Sequence, residues 1–136
     1  MKAIVCEAWG LPDTLVVREL PDVVPEAGKV AIKVEAAGVN FPDVLIIQNK
    51  YQFKPELPFT PGGELAGTVT AVGDGVTQYK PGDRVIAFVG QGAFAQQIAV
   101  PEKSVMPIEL APTIRFSARM MSRGVLMPPG TASRRA

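Results

Sequence analysis

The side chains that most often bind metals or act as catalytic bases are almost missing from this sequence. It contains no histidine and a single cysteine, Cys6. Tetrahedral zinc needs three or four thiolate or imidazole ligands, and Ser-His and Cys-His nucleophile pairs need an imidazole base, so both kinds of chemistry are excluded. Cys6 lies in the alternating segment KAIVCEAW, which is typical of a small apolar residue in a strand.

Side chains that form hydrogen bonds remain, and two of them belong to the segment Gly-Val-Asn-Phe-Pro-Asp at 38–43. Asn40 is a favoured residue for the cap of a short helix, and Pro42 fits the first turn, where its missing amide proton costs nothing. Asp43 would follow in the same turn, where the helix dipole favours a carboxylate. The segment therefore predicts a helix that runs to about Gln48.

The elements that must position these side chains are predicted to be mostly β-strands. Residues 29–37 alternate, with Val30, Ile32 and Val34 on one side, which is the pattern of a half-buried strand. Pro81-Gly82 predicts a type II turn, because proline presets φ at the second position and glycine accepts a positive φ at the third. The other predicted strands are 2–9 and 14–20, which form a hairpin, 68–72, 85–89 and 92–100.

Composition and charge predict one soluble globular domain. The chain has 136 residues, 47% of them hydrophobic and 20% charged, and a net charge of +1. No apolar run reaches the roughly 18 residues that span a bilayer, and no signal peptide is recognisable, so we predict a cytoplasmic protein without membrane contact. The body is acidic, which argues against nucleic acid as a partner.

Four motifs, in order and at a characteristic spacing, carry a resemblance. They are GVNFPD (38–43), PGGELAGTV (61–69), VGDGVTQYKPGDRV (72–85) and GAFAQQIAVP (92–101). Together they resemble the N-terminal, GroES-like catalytic domain of medium-chain dehydrogenases and reductases. Within that superfamily they are similar to the zinc-free quinone oxidoreductase branch, the relatives of zeta-crystallin, and to the enoyl reductase domains of polyketide synthases. The resemblance implies a mainly β fold, namely a GroES-like, partly open β-barrel with short helices.

The resemblance also implies a reductase that works without a metal. Similar zinc alcohol dehydrogenases have a cysteine where Asn40 stands, a histidine where Gly63 precedes Glu64, and an inserted four-cysteine lobe, and this chain has none of them. What remains is hydride transfer from NADPH, the cofactor that the family implies, to a quinone or enone. The protein would position the nicotinamide and supply hydrogen bonds as charge develops on oxygen.

Roles for individual residues follow from the same resemblance. Asn40 matches the family's asparagine at the nicotinamide and substrate site, and Asn40 and Phe41 are the implied cofactor contacts. Asp43 would orient Asn40 or a water, and the Tyr51 hydroxyl would donate to a quinone oxygen. Each has a structural alternative: Asn40 as a helix cap, Asp43 as a partner of the helix dipole, and Tyr51 as a packed aromatic in a loop wall. Glu64 is interpreted as a buried, hydrogen-bonded acid that fixes a loop above the cofactor.

After residue 108 the chain does not continue as that family does. A nicotinamide reductase needs a Rossmann unit, in which Gly-x-Gly-x-x-Gly joins a strand to a helix, and the sequence contains none. We therefore divide the chain into a GroES-like substrate domain, 1–108, and a basic tail, 109–136, which has five arginines and one acid. The tail is predicted to be a remnant of the connection to a missing cofactor domain, or disordered.

These observations predict the substrate-side domain of a zinc-independent, NADPH-dependent quinone oxidoreductase. Alone it should be weakly active or inactive, because the cleft between the two domains would hold both the nicotinamide and the acceptor. One alternative is a stand-alone β-barrel module that self-associates or binds a partner chain through the face that the missing domain exposes. Another is a fragment of an enoyl reductase domain.

Overall fold

A computed structural model describes residues 1–108, which form two antiparallel β-sheets and one short α-helix. The strands are β1 (Lys2–Val5), β2 (Val16–Glu19), β3 (Lys29–Gly38), β4 (Glu64–Val72), β5 (Arg84–Phe88), β6 (Gln97–Pro101) and β7 (Val105–Pro107). The helix is α1 (Phe41–Ile46), and short 3-10 turns occupy Pro12–Thr14 and Glu102–Ser104. The predicted tail, 109–136, lies outside the described residues.

The larger sheet contains five strands in the order β6-β3-β4-β5-β7. Its long central strands carry most of the core: Val30 and Ile32 of β3 and Val69 of β4 are at most 1% exposed, and Val85 of β5 packs with them. Val34 is only half-buried, at the margin of the same cluster. The mainly β class is confirmed, and the sheets formed by residues 1–108 remain open at their edges instead of closing into a barrel.

The hairpin of β1 and β2 forms the smaller sheet and ties two distant segments together. The Ile4 N–H donates to the Phe94 carbonyl at 2.8 Å, and the Cys6 N–H donates to the Phe59 carbonyl at 2.8 Å. Cys6 is fully buried against Phe59 and Ile46 of α1, and burial raises the pKa of its thiol. The prediction that Cys6 is an apolar strand residue is thus supported, and the hairpin holds α1 against the β structure.

The turn predicted at Pro81-Gly82 is present. Gly82 has φ +95°, and the Asp83 N–H donates to the Lys80 carbonyl at 3.1 Å, which closes the four-residue turn. The strand predicted for 92–100 begins only at Gln97. Its first residues do not continue the regular pairing with β3, because Gly92 adopts φ +103°. The Phe94 carbonyl and the Gln96 N–H hydrogen-bond to β1, and the Gln96 carbonyl accepts from Val34 of β3.

Two other predicted elements are shorter than expected. The strands of the first hairpin end earlier, at Val5 and Glu19, and a 3-10 turn occupies Pro12–Thr14. Helix α1 ends at Ile46, before the predicted Gln48, because Asn49 adopts a left-handed φ of 58° that stops the helical path.

The close approach of β3 and β4 at Gly67 gives a test of the fold. A β-carbon there would collide with the Lys33 carbonyl oxygen and lie 2.9 Å from Ile32 Cγ2. Gly67→Ala is expected to lower the free energy of unfolding by about 1–3 kcal/mol, because the two strands must move apart. Urea unfolding followed by Trp9 fluorescence measures the change.

Gly63→Ala is the matched control for this test. Its β-carbon would meet only the Val89 carbonyl oxygen, at an ordinary contact distance of 3.4 Å. We expect it to unfold within about 0.5 kcal/mol of the native chain, as for most harmless substitutions. Equal destabilisation by the two alanines would contradict the close-approach argument.

Candidate functional site

A pocket of about 450 Å³ opens between α1, the loop that follows it and the end of β5. Asn40, Asp43 and Tyr51, which the sequence analysis singled out separately, all line this pocket. Phe41 does not line it and is 74% exposed on the first turn of α1. The structure thus gathers three of the four predicted site residues, and their chemical roles stay predictions.

Asn40 and Asp43 are held in place by the start of α1. Asn40 stands at the N-cap with extended backbone, φ −122° and ψ 160°, and Pro42 follows in the first turn. The Asp43 carboxylate is buried, and it accepts a hydrogen bond from the Asn40 N–H at 2.7 Å. This is the acidic half of a capping box, so Asp43 fixes the backbone that presents Asn40 to the pocket.

One wall of the pocket is aromatic. Tyr51 and Phe53 line it and are 36% and 43% exposed. The tip of the Phe53 ring lies 3.4 Å from the place where a β-carbon on Gly90 would stand, so the ring covers the backbone at Gly90. The Tyr51 hydroxyl forms no hydrogen bond with any residue of the described part of the chain. The loop that carries Tyr51 and Phe53 therefore forms one wall of the pocket, and the Tyr51 hydroxyl is available to a bound molecule.

Residues missed by the sequence analysis complete the pocket: Gly63, Val89 and Gly90. The Val89 N–H donates to the Gly63 carbonyl at 2.8 Å, which joins the start of β4 to the end of β5. Nearby, Gly62 adopts φ +102°, and a β-carbon there would lie 2.6 Å from the Phe94 ring. Glycines before β4 and after β5 were the only sequence signal for this close packing.

The prediction for Glu64 was wrong in part. Its side chain is half-buried and lines the pocket, but the carboxylate makes no hydrogen bond or ion pair with the residues that the structure describes. It lies against Gly38, its partner in the β3–β4 register. A β-carbon at Gly38 would overlap the Glu64 carboxylate and lie 2.8 Å from its Cγ, so the missing side chain at 38 makes room for the acid.

Within residues 1–108 no group of three or more potential ligands is placed to hold a metal ion. In the same residues, no helix has the length and apolar character needed to cross a membrane. The titratable side chains that line the pocket are the carboxylates of Asp43 and Glu64 and the phenol of Tyr51. Such a site can form hydrogen bonds and can place a flat molecule against an aromatic wall.

Comparison with known proteins identifies the family. Residues 26–110 match the alcohol dehydrogenase GroES-like domain. The chain is 38% identical over 112 residues to the quinone oxidoreductase of Rattus norvegicus, covering 79% of this chain and 33% of that protein. It is 34% identical over 123 residues to the synaptic vesicle membrane protein VAT-1 homolog of the same species, covering 89% of this chain and 30% of that protein.

Solved structures give the same result. The Escherichia coli quinone oxidoreductase, determined as a complex with NADPH, superposes with a TM-score of 0.79 at 28% identity, covering 87% of this chain and 36% of that chain. The chain therefore belongs to the alcohol dehydrogenase GroES-like domain family, and the predicted likeness to quinone oxidoreductases is confirmed. It spans about a third of the length of the relatives it matches.

The link between Asp43 and Asn40 can be tested by substitution. Asp43→Ala leaves the Asn40 N–H without its acceptor, and we expect the free energy of unfolding to fall by about 1–2 kcal/mol. The Asn40 amide resonance in a ¹⁵N-correlated NMR spectrum should shift as well, because its hydrogen bond is lost. Asp13→Ala is the matched control, since Asp13 also lies in the first turn of a short helix but is exposed. An unchanged Asn40 resonance in Asp43→Ala would contradict the capping geometry.

Proposed function

We propose that this chain is the substrate-side domain of a zinc-independent, NADPH-dependent quinone oxidoreductase. The observation that carries the proposal is the pocket that combines Asn40, a Tyr51 hydroxyl without a hydrogen bond to the described residues, and the Phe53 wall. The likeness to quinone oxidoreductases, some of them solved with NADPH, supports it. Alone, the domain is weakly active or inactive, because it supplies only one side of the cleft in which hydride transfer takes place.

Four residues of the pocket have a defined task under this proposal. NADPH supplies the hydride when it is bound. The Tyr51 hydroxyl donates a hydrogen bond to the acceptor oxygen, where negative charge develops, and the Asn40 amide contacts the acceptor and the nicotinamide carboxamide. Phe53 offers a flat apolar surface that orients a planar ring. Asp43 keeps Asn40 in position through the backbone hydrogen bond of 2.7 Å.

The residues present fit one end of the cofactor. A pocket of about 450 Å³ with an amide, a phenol and an aromatic wall suits a nicotinamide ring beside a small acceptor. Asn40 is the residue that would hold the carboxamide, and Phe41, one position further along, remains a proposed contact outside the pocket. Among residues 1–108 no strand-to-helix glycine loop is available for the pyrophosphate, so other residues of a complete enzyme must bind it.

A second candidate function is an interaction module that self-associates or binds a partner chain. The observation that favours it is an open, mostly apolar groove of about 410 Å³ between the β1–β2 hairpin and β3, here called the hairpin groove. Val17 and Val39 line this groove and are 64% and 75% exposed. Sedimentation of the chain at several concentrations tests self-association: a stable dimer that Val17→Glu dissociates supports it, and a monomer at all concentrations contradicts it.

The reductase proposal is tested best in a chimera. The corresponding part of the Escherichia coli quinone oxidoreductase is replaced by this chain, and NADPH-dependent reduction of 1,4-benzoquinone is measured. We expect the chimera to turn over and the isolated chain to show almost no turnover. Tyr51→Phe in the chimera should lower kcat/KM about tenfold, the effect of one lost hydrogen bond to developing charge.

The control variant is Tyr79→Phe, which removes the only other tyrosine hydroxyl of the chain. Tyr79 donates to the Val105 carbonyl at 2.6 Å and lies outside the pocket, so kcat/KM per folded chimera should not change. A folded chimera that binds NADPH but reduces no quinone would refute the proposed function. Rapid turnover by the isolated chain would refute the division into two halves.

A further inference from the structure

The charged residues that line the pocket are all of one sign. Asp43 and Glu64 line it, and no lysine or arginine of the described residues does. Lys50, which precedes Tyr51, donates to the Gln48 side chain at 2.9 Å and does not line the pocket. A molecule in this pocket therefore lies beside two carboxylates, and none of the described residues that line the pocket carries a positive charge.

The two carboxylates differ in whether they already accept a hydrogen bond from the described residues. Asp43 is buried, and its carboxylate already accepts a hydrogen bond from the Asn40 N–H as part of the helix cap. Glu64 is half-buried, and its carboxylate has no hydrogen bond or ion pair with the described residues. The Glu64 carboxylate also has a fixed place, because β4 pairs it with Gly38 and the glycine leaves the space it occupies.

We infer that Glu64 determines which acceptors enter the pocket: neutral and cationic rings are admitted, and anionic rings are rejected. The inference rests on the proposed function and adds the charge class of the substrate. An anion placed beside this half-buried carboxylate, which forms no ion pair with residues 1–108, is repelled across a medium less polar than water. A hydroxyl or ammonium group on the acceptor instead gives the carboxylate the hydrogen-bond donor it lacks.

The test compares three probes of one shape and different charge, bound to the full chain and measured by isothermal titration calorimetry. They are 2-(hydroxymethyl)anthraquinone, which is neutral, 2-(aminomethyl)anthraquinone, which is cationic, and anthraquinone-2-sulfonate. Anthraquinones have no free quinone carbon for thiol addition, so Cys6 does not interfere. We expect the sulfonate to bind at least about tenfold more weakly than the neutral probe, with the difference shrinking as salt is added.

Glu64→Gln keeps the shape of the side chain and removes its charge. In this variant the sulfonate should bind about tenfold more tightly than to the native chain, while the neutral probe changes by less than about twofold. Glu35→Gln is the matched control. It removes the same charge at an exposed residue that accepts a hydrogen bond from the Thr68 hydroxyl and does not line the pocket. It should leave the order of the three probes unchanged.

The outcomes separate this inference from the proposed function. Equal binding of sulfonate and neutral probes, or an unchanged ratio in Glu64→Gln, overturns the role of Glu64 and leaves the reductase proposal intact. Charge selection without turnover in the chimera supports Glu64 and overturns the reductase. If no anthraquinone binds to the chain, the role of Glu64 is overturned, and turnover in the chimera still decides the reductase proposal.

Discussion

The pairing of β3 with β4 is the constraint on which the rest of this domain depends. The two strands provide several of the most deeply buried side chains, and they approach so closely at Gly67 that no β-carbon fits between them. The same pairing ends at Gly38 and Glu64, directly before helix α1. The interaction that builds the core therefore also places one acid of the pocket and the start of the helix that carries Asn40.

The pocket is assembled from chain segments that are far apart in sequence and that the core holds in register. Its helix side is braced from behind by Cys6 and Phe59, which bury Ile46. Its opposite side depends on the hydrogen bond between Val89 and Gly63, which joins the ends of β5 and β4. A domain with this arrangement can keep polar groups unpartnered at one open edge, because the packing that stabilises it lies elsewhere.

Much of this could be predicted from the sequence where one local signal determines the structure. The alternation of 29–37 predicted β3, Pro81-Gly82 predicted its turn, and the Asn-Phe-Pro-Asp segment predicted a capped helix start with Asp43 in its first turn. The predictions failed where a tertiary contact, and not the local sequence, determines the structure. Phe94 and Gln96 form backbone hydrogen bonds with β1, and Glu64 lies against Gly38 without a hydrogen bond to the residues that the structure describes. No local pattern reveals either arrangement. The contribution of Gly63 and Gly90 to the pocket could not be predicted either, since a glycine indicates close packing but does not indicate which residue packs against it.

The account is tested most directly by locating where a quinone binds on the chain. Tetramethyl-1,4-benzoquinone has no free ring position for thiol addition, and its titration can be followed in ¹⁵N-correlated NMR spectra. The account predicts shifts for the amides of Asn40, Tyr51 and Gly90 in the pocket, with Val17 and Ala95 of the hairpin groove unchanged. Shifts confined to the hairpin groove, or none at concentrations near the solubility limit of the quinone, would contradict it.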